Sequence, residues 1–284
     1  MKILVEHNGG LGDVILDTAY LKKLKEEDPT GQLDIITYEG TAEIFRGANY
    51  LDTVIPVPKD YCTTKMNEKL YNKYDRHIYV LGMLSWAFFT KKTKTLFEQR
   101  KEFYHVNALP EDIEINLIDT FPNDIFKDIK TPVVFSAPNG KDIKTGKHIS
   151  KKMWKTLFDT YKEITFIQIG SKEYDFIFDE QDNVICLLDT LRIQQSLSAI
   201  CLSKFVIGCD NFLNHASKAF NKKGIFLWGA NDPKQYGWDH NINLYNKVKC
   251  SPCLTANPDH DCCFKNGIDN IPLEWIDDAI KKLI

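Results

Sequence analysis

The sequence has no apolar run of the ~18 residues that a membrane-spanning helix requires. The nearest candidate, residues 78–89, is interrupted by Gly82 and Ser85, so no transmembrane segment is expected. A strong charge of one sign is also missing. The 36 basic and 39 acidic residues leave a net charge of −3, which argues against whole-protein attraction to nucleic acid or an anionic membrane. The chain contains no internal repeat and no low-complexity segment, and its 43% hydrophobic and 26% charged residues exclude a disordered chain, a collagen-like fibre and a coiled-coil rod. The N-terminus, Met-Lys-Ile-Leu-Val-Glu-His, lacks the apolar core and small-residue cleavage site of a secretory signal. With no such signal, the eight cysteines point to a reducing cytoplasm, where thiols stay free, bind metal or fill space.

A length of 284 residues suits two domains, and seventeen Phe, twelve Tyr and five Trp supply apolar material for two cores. Short apolar runs alternate with helical patterns, the signature of βαβ units around parallel sheets. Strands are predicted at 2–6, 33–37, 53–56 and 78–81, then at 132–136, 165–170, 183–186, 205–208 and 224–227. Helices are predicted at 13–27, 41–46, 151–161, 193–202, 211–220 and 273–284. Between 59 and 105 the pattern loosens into basic and aromatic stretches. The expected fold is α/β, with two Rossmann-like units meeting near residue 130.

Two strand ends carry chemistry. The first strand opens into Gly9-Gly10-Leu11-Gly12-Asp13, and a helix starts at once. Glycines, Gly12 among them, let a backbone approach a ligand closely, and a new helix offers unpaired N–H groups and a positive dipole end. Asp13 is either an ordinary helix N-cap or a carboxylate at the C-terminal edge of a parallel sheet, where ligands bind. The strand near 205–208 runs into Asp210-Asn211-Phe212-Leu213-Asn214-His215. Here again an acidic residue and a helix N-terminus meet, an anion site suited to a diphosphate. The plainer reading has Asp210 capping the helix and His215 bonded to a backbone carbonyl.

The ordered set of motifs resembles glycosyltransferase family 9, the bacterial ADP-heptose heptosyltransferases of lipopolysaccharide core synthesis. The resemblance rests on Leu11-Gly12-Asp13-Val14 and the helix after it, Lys147-His148 with Trp154, and a strand ending in Gly170 with Glu173 nearby. It continues through Asp210 and His215 at the family's separation, residues 228–233, and a Cys-Ser-Pro-Cys stretch at Cys250 to Cys253. It covers nearly the whole chain. It implies a GT-B fold, two Rossmann-like domains with parallel sheets facing a central cleft: 1–130 for the acceptor, 131–271 for the nucleotide-sugar, and a helix at 272–284 that packs back on the first domain. It also implies inverting transfer, without a metal in catalysis, from a nucleotide-sugar donor, ADP-linked, to a glycan or lipopolysaccharide-core-like acceptor. By resemblance Asp13 is the general base and Lys147 neutralises the leaving diphosphate. Asp210 binds sugar hydroxyls, the N–H groups of Asn211, Phe212, Leu213 and Asn214 hold phosphate beside His215, Glu173 contacts the nucleoside, and Gly12 lies in the donor set. Asn211-Phe212 replaces the family's Ser/Thr-Gly, which keeps open a member that binds nucleotide or glycan without catalysis.

Cys250, Cys253, Cys262 and Cys263, with His260, could ligate one structural zinc or iron; the alternative is a loop of free thiols. Cys186, Cys201 and Cys209 sit in apolar segments and are expected in the core. Residues 59–101 carry ten basic side chains against four acidic ones, interleaved with aromatics. That pattern is either a solvated basic face or a groove for an anionic acceptor, with DNA as the alternative acceptor.

Overall fold

The computed structural model describes residues 1–59, 68–80, 94–121, 123–139, 147–248, 251–252 and 268–284. The chain divides into two compact units, Met1–Ile118 and Asp119–Ile284.

The first unit is built on a four-stranded parallel sheet of order β3-β2-β1-β4. Its strands are β1 (Lys2–His7), β2 (Gln32–Tyr38), β3 (Thr53–Val57) and β4 (Arg76–Tyr79). Val5 lies between Ile35 and Ile78 in register, and Ile3 through His7 are all buried. A strand covered on both faces reads as a continuous apolar run, which is why β1 was legible. Helix α1 (Leu11–Glu27) follows. Its burial is not confined to one face: Val14 through Leu21 are buried without a break, and Leu24 joins them. Helix α2 (Leu96–Tyr104) packs beside α1.

The second unit carries six parallel strands in the order β10-β9-β8-β5-β6-β7. They are β5 (Pro132–Phe135), β6 (Thr165–Gln168), β7 (Val184–Cys186), β8 (Phe205–Cys209), β9 (Gly224–Trp228) and β10 (Ile242–Tyr245). Its longer helices are α3 (Lys151–Thr160), α4 (Ile193–Leu202), α5 (Phe212–Ala219) and α6 (Leu273–Lys281), with short helical turns at Asn123–Lys127 and Pro233–Tyr236. One side of the sheet is filled by aromatic rings. Phe135 meets Trp154 at 4.7 Å and Phe158 at 5.3 Å between centroids, and Phe158 meets Phe166 at 4.9 Å. Each such ring buries 150–250 Å² and adds edge or offset contact energy beyond its area. Trp154, part of the family motif, is thus a core residue with no exposure.

Helix α6 buries Ile276, Ala279 and Ile280 in the second unit's core. Two elements were not expected. The segment left loose in sequence contains α2. Strand β10, which pairs in parallel with β9, has only four half-buried residues and so too short an apolar run to be read. In both sheets the strand order reverses beside the unit's first strand, between β1 and β4 and between β5 and β8. In open α/β sheets ligands bind at the carboxyl ends of the strands beside that reversal.

Candidate functional site

In the first unit, β1 ends at His7 and the turn Asn8-Gly9-Gly10 leads into α1. A Cβ on Gly9 would lie 2.7 Å from His7 Cε1 and 2.9 Å from Asp13 Cβ, so only glycine lets this turn pass. Gly10 is the N-cap; Gly12 is the second residue of α1 and Asp13 the third. Asp13 is therefore not the cap residue itself, although its Oδ2 accepts the Gly10 N–H at 3.2 Å.

Asp13 Oδ1 is paired with Nη2 of Arg100, which reaches in from α2. The Asp13 side chain is 24% exposed and Arg100 1%. One turn along α1, Asp17 is fully buried. Its Oδ1 accepts from Arg100 Nη1, and its Oδ2 accepts from the Tyr104 hydroxyl at 2.9 Å and sits 2.9 Å from His7 Nε2. Burial pushes the Asp17 carboxyl up, but the Arg100 charge and the His7 hydrogen bond outweigh it and hold the group below its ordinary value. Burial works against the charged Arg100 too, but the two carboxylates reverse that and raise it. Sequence reasoning counted Arg100 among the surface cations. The readable signal was Thr95-Leu-Phe-Glu98, a capping box in which Thr95 Oγ1 accepts the Glu98 N–H at 3.1 Å and Glu98 accepts the Thr95 N–H at 2.8 Å. That motif starts α2 and puts Arg100 on its second turn.

In the second unit, Lys147 and Asp210 meet at the C-terminal ends of β5 and β8. Lys147 Nζ lies 3.0 Å from Asp210 Oδ2, with the lysine side chain 40% exposed and the aspartate 10%. Asn231 Nδ2 donates to the same carboxylate oxygen, and the Cys209 thiol donates to the Lys147 carbonyl at 2.8 Å. Burial, with Asp210's charge beside it, pushes that thiol up to about 12. The cap of α5 is Asn211, not Asp210: its Oδ1 accepts the Leu213 N–H at 3.0 Å, and its carbonyl accepts the Asn214 N–H at 3.1 Å. Asn211 Nδ2 donates to Ser136 Oγ at 2.7 Å. Two of the four N–H groups expected to hold phosphate are thus used inside the chain. Leu213 is buried in the core, and the Asn214 amide donates to the Tyr236 carbonyl at 2.8 Å. His215 is buried with its ring edge-on to Trp238 at 6.1 Å between centroids, and Phe212 is half-buried as the first residue of α5.

Glu173 is exposed in the loop after β6, where the chain turns through Gly170 at φ 136°. That loop is held by Asp175, which sequence reasoning missed. Asp175 accepts the N–H groups of Ala137 at 2.8 Å and Ser171 at 3.1 Å, and burial pushes its carboxyl up to about 6 in spite of them. Of the cysteines, Cys209 is buried and Cys186 and Cys201 are half-buried. Cys250, Cys253, Cys262 and Cys263, with His260, lie outside the described residues. Among the described residues no cluster of three or more His, Cys, Asp or Glu could hold a metal ion, and no helix is long and apolar enough to cross a membrane.

No family model matches the sequence, and no curated protein matches it. Solved structures do match over nearly the whole chain. A glycosyl transferase of family 9 from Veillonella parvula aligns with 99% of this chain and 96% of its own at a TM-score of 0.74 and 14% identity. The E. coli ADP-heptose LPS heptosyltransferase II covers 99% of both chains at 0.69 and 13%. E. coli heptosyltransferase WaaC, solved with ADP-2-deoxy-2-fluoro heptose, covers 99% of both at 0.66 and 15%. The fold is that of these GT-B glycosyltransferases, an α/β architecture with two parallel sheets.

Proposed function

We propose that the protein is an inverting, metal-independent glycosyltransferase. It moves a heptose-like sugar from a nucleotide-diphosphate donor, ADP-linked, to a hydroxyl of a glycan or other polyanionic acceptor. The observation that carries this reading is Lys147, a cation held on Asp210 yet 40% exposed, where the second sheet reverses its strand order. A nucleoside diphosphate leaving group needs positive charge at that kind of position. The N-terminal dipole of α5 adds to it, although Leu213 and Asn214 have already committed their N–H groups.

The step balances as a single displacement. The acceptor oxygen bonds to the anomeric carbon from the face opposite the diphosphate, and the bond from that carbon to the phosphate oxygen breaks. The electron pair leaves on the nucleoside diphosphate, against Lys147. The acceptor proton passes to Asp13, whose Oδ2 among the described residues accepts the Gly10 N–H at 3.2 Å while Oδ1 takes the Arg100 pairing. Asp210, already bonded to Lys147 and Asn231, keeps acceptor capacity for a sugar hydroxyl. Glu173, exposed in its loop, is assigned to the nucleoside, and Gly12 to the turn beside Asp13. The ADP preference rests on the neighbours, since WaaC was solved with ADP and with an ADP-linked heptose analogue.

Melting the protein against ADP, UDP, GDP and dTDP, each with and without magnesium, tests the donor site. A ligand at ~100 times its dissociation constant adds ~2.7 kcal/mol, a shift of several degrees. A magnesium-independent shift selective for ADP is expected. Selectivity for another base would discard the ADP donor, and no shift with any nucleotide would remove the donor site.

A further inference from the structure

Asp13 and Asp17 are one helical turn apart, on the same side of α1. Two carboxylates in that arrangement repel, and Asp17 is fully buried besides. One guanidinium serves both: Arg100 Nη2 pairs with Asp13 Oδ1, Nη1 pairs with Asp17 Oδ1, and Nη1 also donates to the Asp13 carbonyl at 3.3 Å. The charges around this cluster can be counted. His7 Nδ1 accepts the Gly9 N–H at 3.1 Å, so the ring carries its proton on Nε2, donates to Asp17 and is neutral. Tyr104 donates to Asp17, and Tyr20 donates to the Phe97 carbonyl at 2.6 Å, so both phenols keep their protons. Among the described residues that face the pair, from β1, α1 and α2, the sum is one cation and two carboxylates. One negative charge is left over. It sits at the only partly exposed member, Asp13.

We infer that Asp17 is a positioning residue for Asp13 that acts through Arg100: it takes up the guanidinium's charge, so Arg100 can orient Asp13 without quenching it as a proton acceptor. The inference rests on the reading of Asp13 as the base. Without Asp17, the whole charge of a buried guanidinium would fall on Asp13 and hold it as a weak base. With Asp17 in place, protonating Asp13 leaves a buried ion pair of zero net charge, so the proton's arrival removes the surplus charge and creates no new one. His7 and Tyr104 complete the device. They bond the Asp17 oxygen that Arg100 does not touch, which fixes the carboxylate's plane and with it the guanidinium.

The experiment is the pH profile of kcat for the full-length protein, with KM for the acceptor measured alongside. Asp17→Asn should move the acidic limb down by about one pH unit and lower the plateau several-fold, with acceptor KM unchanged within about twofold. The double variant Asp17→Asn/Arg100→Gln removes both charges, restores the net −1 on Asp13 and should return the limb to near the wild-type position. A purely structural role for Asp17 predicts no such rescue. The double variant also decides the matter if Asp17→Asn alone does not fold, because it leaves no unpaired buried charge: a limb displaced by about a unit or more would overturn the inference. Asp13→Asn separates the two levels. If it is inactive while the Asp17→Asn profile superposes on wild type, only the role of Asp17 falls; if it is active, the base assignment falls and the inference with it.

Discussion

Each unit has an ion pair near the point where its sheet reverses, and the two pairs are built in opposite senses. In the first, the cation is behind: Arg100 is 1% exposed and Asp13 in front of it 24%. In the second, the anion is behind: Asp210 is 10% exposed and Lys147 in front of it 40%. The residue types match the positions. A guanidinium keeps its charge in the interior and spans two carboxylates with its fixed fork. A lysine is a hydrated point charge that suits the outer place. One unit therefore offers negative charge to what binds there and the other offers positive charge, as a proton acceptor and a diphosphate receiver would require. Their buried carboxylates differ in the same way. Asp17, with Arg100 beside it, is held low, whereas Asp175, which among the described residues has backbone N–H groups and no cation, is pushed up to about 6 by burial.

The sharpest way to break this comparison is Asp13→Asn. Loss of a general base costs roughly 10²–10⁴-fold, so transfer should fall by about that much while nucleotide affinity stays near wild type. Equal turnover would show that the outward anion is not used. Next in size is the pH dependence that separates the two buried carboxylates. A carboxyl raised in the folded state favours folding only while protonated, so the Asp175 contribution is complete below about pH 4 and lost as the pH rises through about 6. A carboxyl raised from its ordinary range to about 6 puts roughly 3 kcal/mol at stake. Asp17, held low, contributes in the reverse sense: its stabilisation is present above the ordinary carboxylate range and lost on acidification. Urea unfolding of Asp175→Asn against wild type at about pH 4 and about pH 8 checks the first of these. The variant should gain on wild type as the pH rises, and a constant difference would refute the contrast.

Lys147→Ala should cost about 2 kcal/mol of nucleoside diphosphate binding, the value of a charge-assisted bond at a partly exposed site. Calorimetry with ADP measures it, and an unchanged affinity would take the outward cation out of the site. The smallest effect is at the helix that carries Arg100. Thr95→Ala removes one half of the capping box and should lower stability by about 1 kcal/mol in thermal unfolding.

Much of this was visible in the chain. The strands easiest to read are those buried on both faces, as where Ile3-Leu4-Val5 of β1 and Pro132–Phe135 of β5 form apolar runs; β3, β4 and β7, mostly half-buried or exposed, were legible from the alternation of strand and helix patterns. Asp13 and Asp210 stood out because a glycine-rich turn or a strand end precedes each one. Arg100 did not, because an arginine among surface lysines looks the same in sequence whether it is solvated or buried. The carboxylates that hold it, Asp13 and Asp17, lie on α1, more than 80 residues earlier. Asp17 was hidden for a related reason. Within α1 it lies among Ile15, Leu16, Ala19 and Tyr20, where a carboxylate signals that a cation must come from elsewhere without saying which.

What the sequence alone determined is the alternation of strands and helices, the glycine turn at Gly9, and the order of motifs that resembles family 9. These depend on local backbone preference and on periodic burial, which neighbouring residues set among themselves. Only the tertiary structure decided which charge in each pair faces outward. That depends on how far a side chain from a distant element is taken out of water, and desolvation is a property of the packed fold, not of the residue.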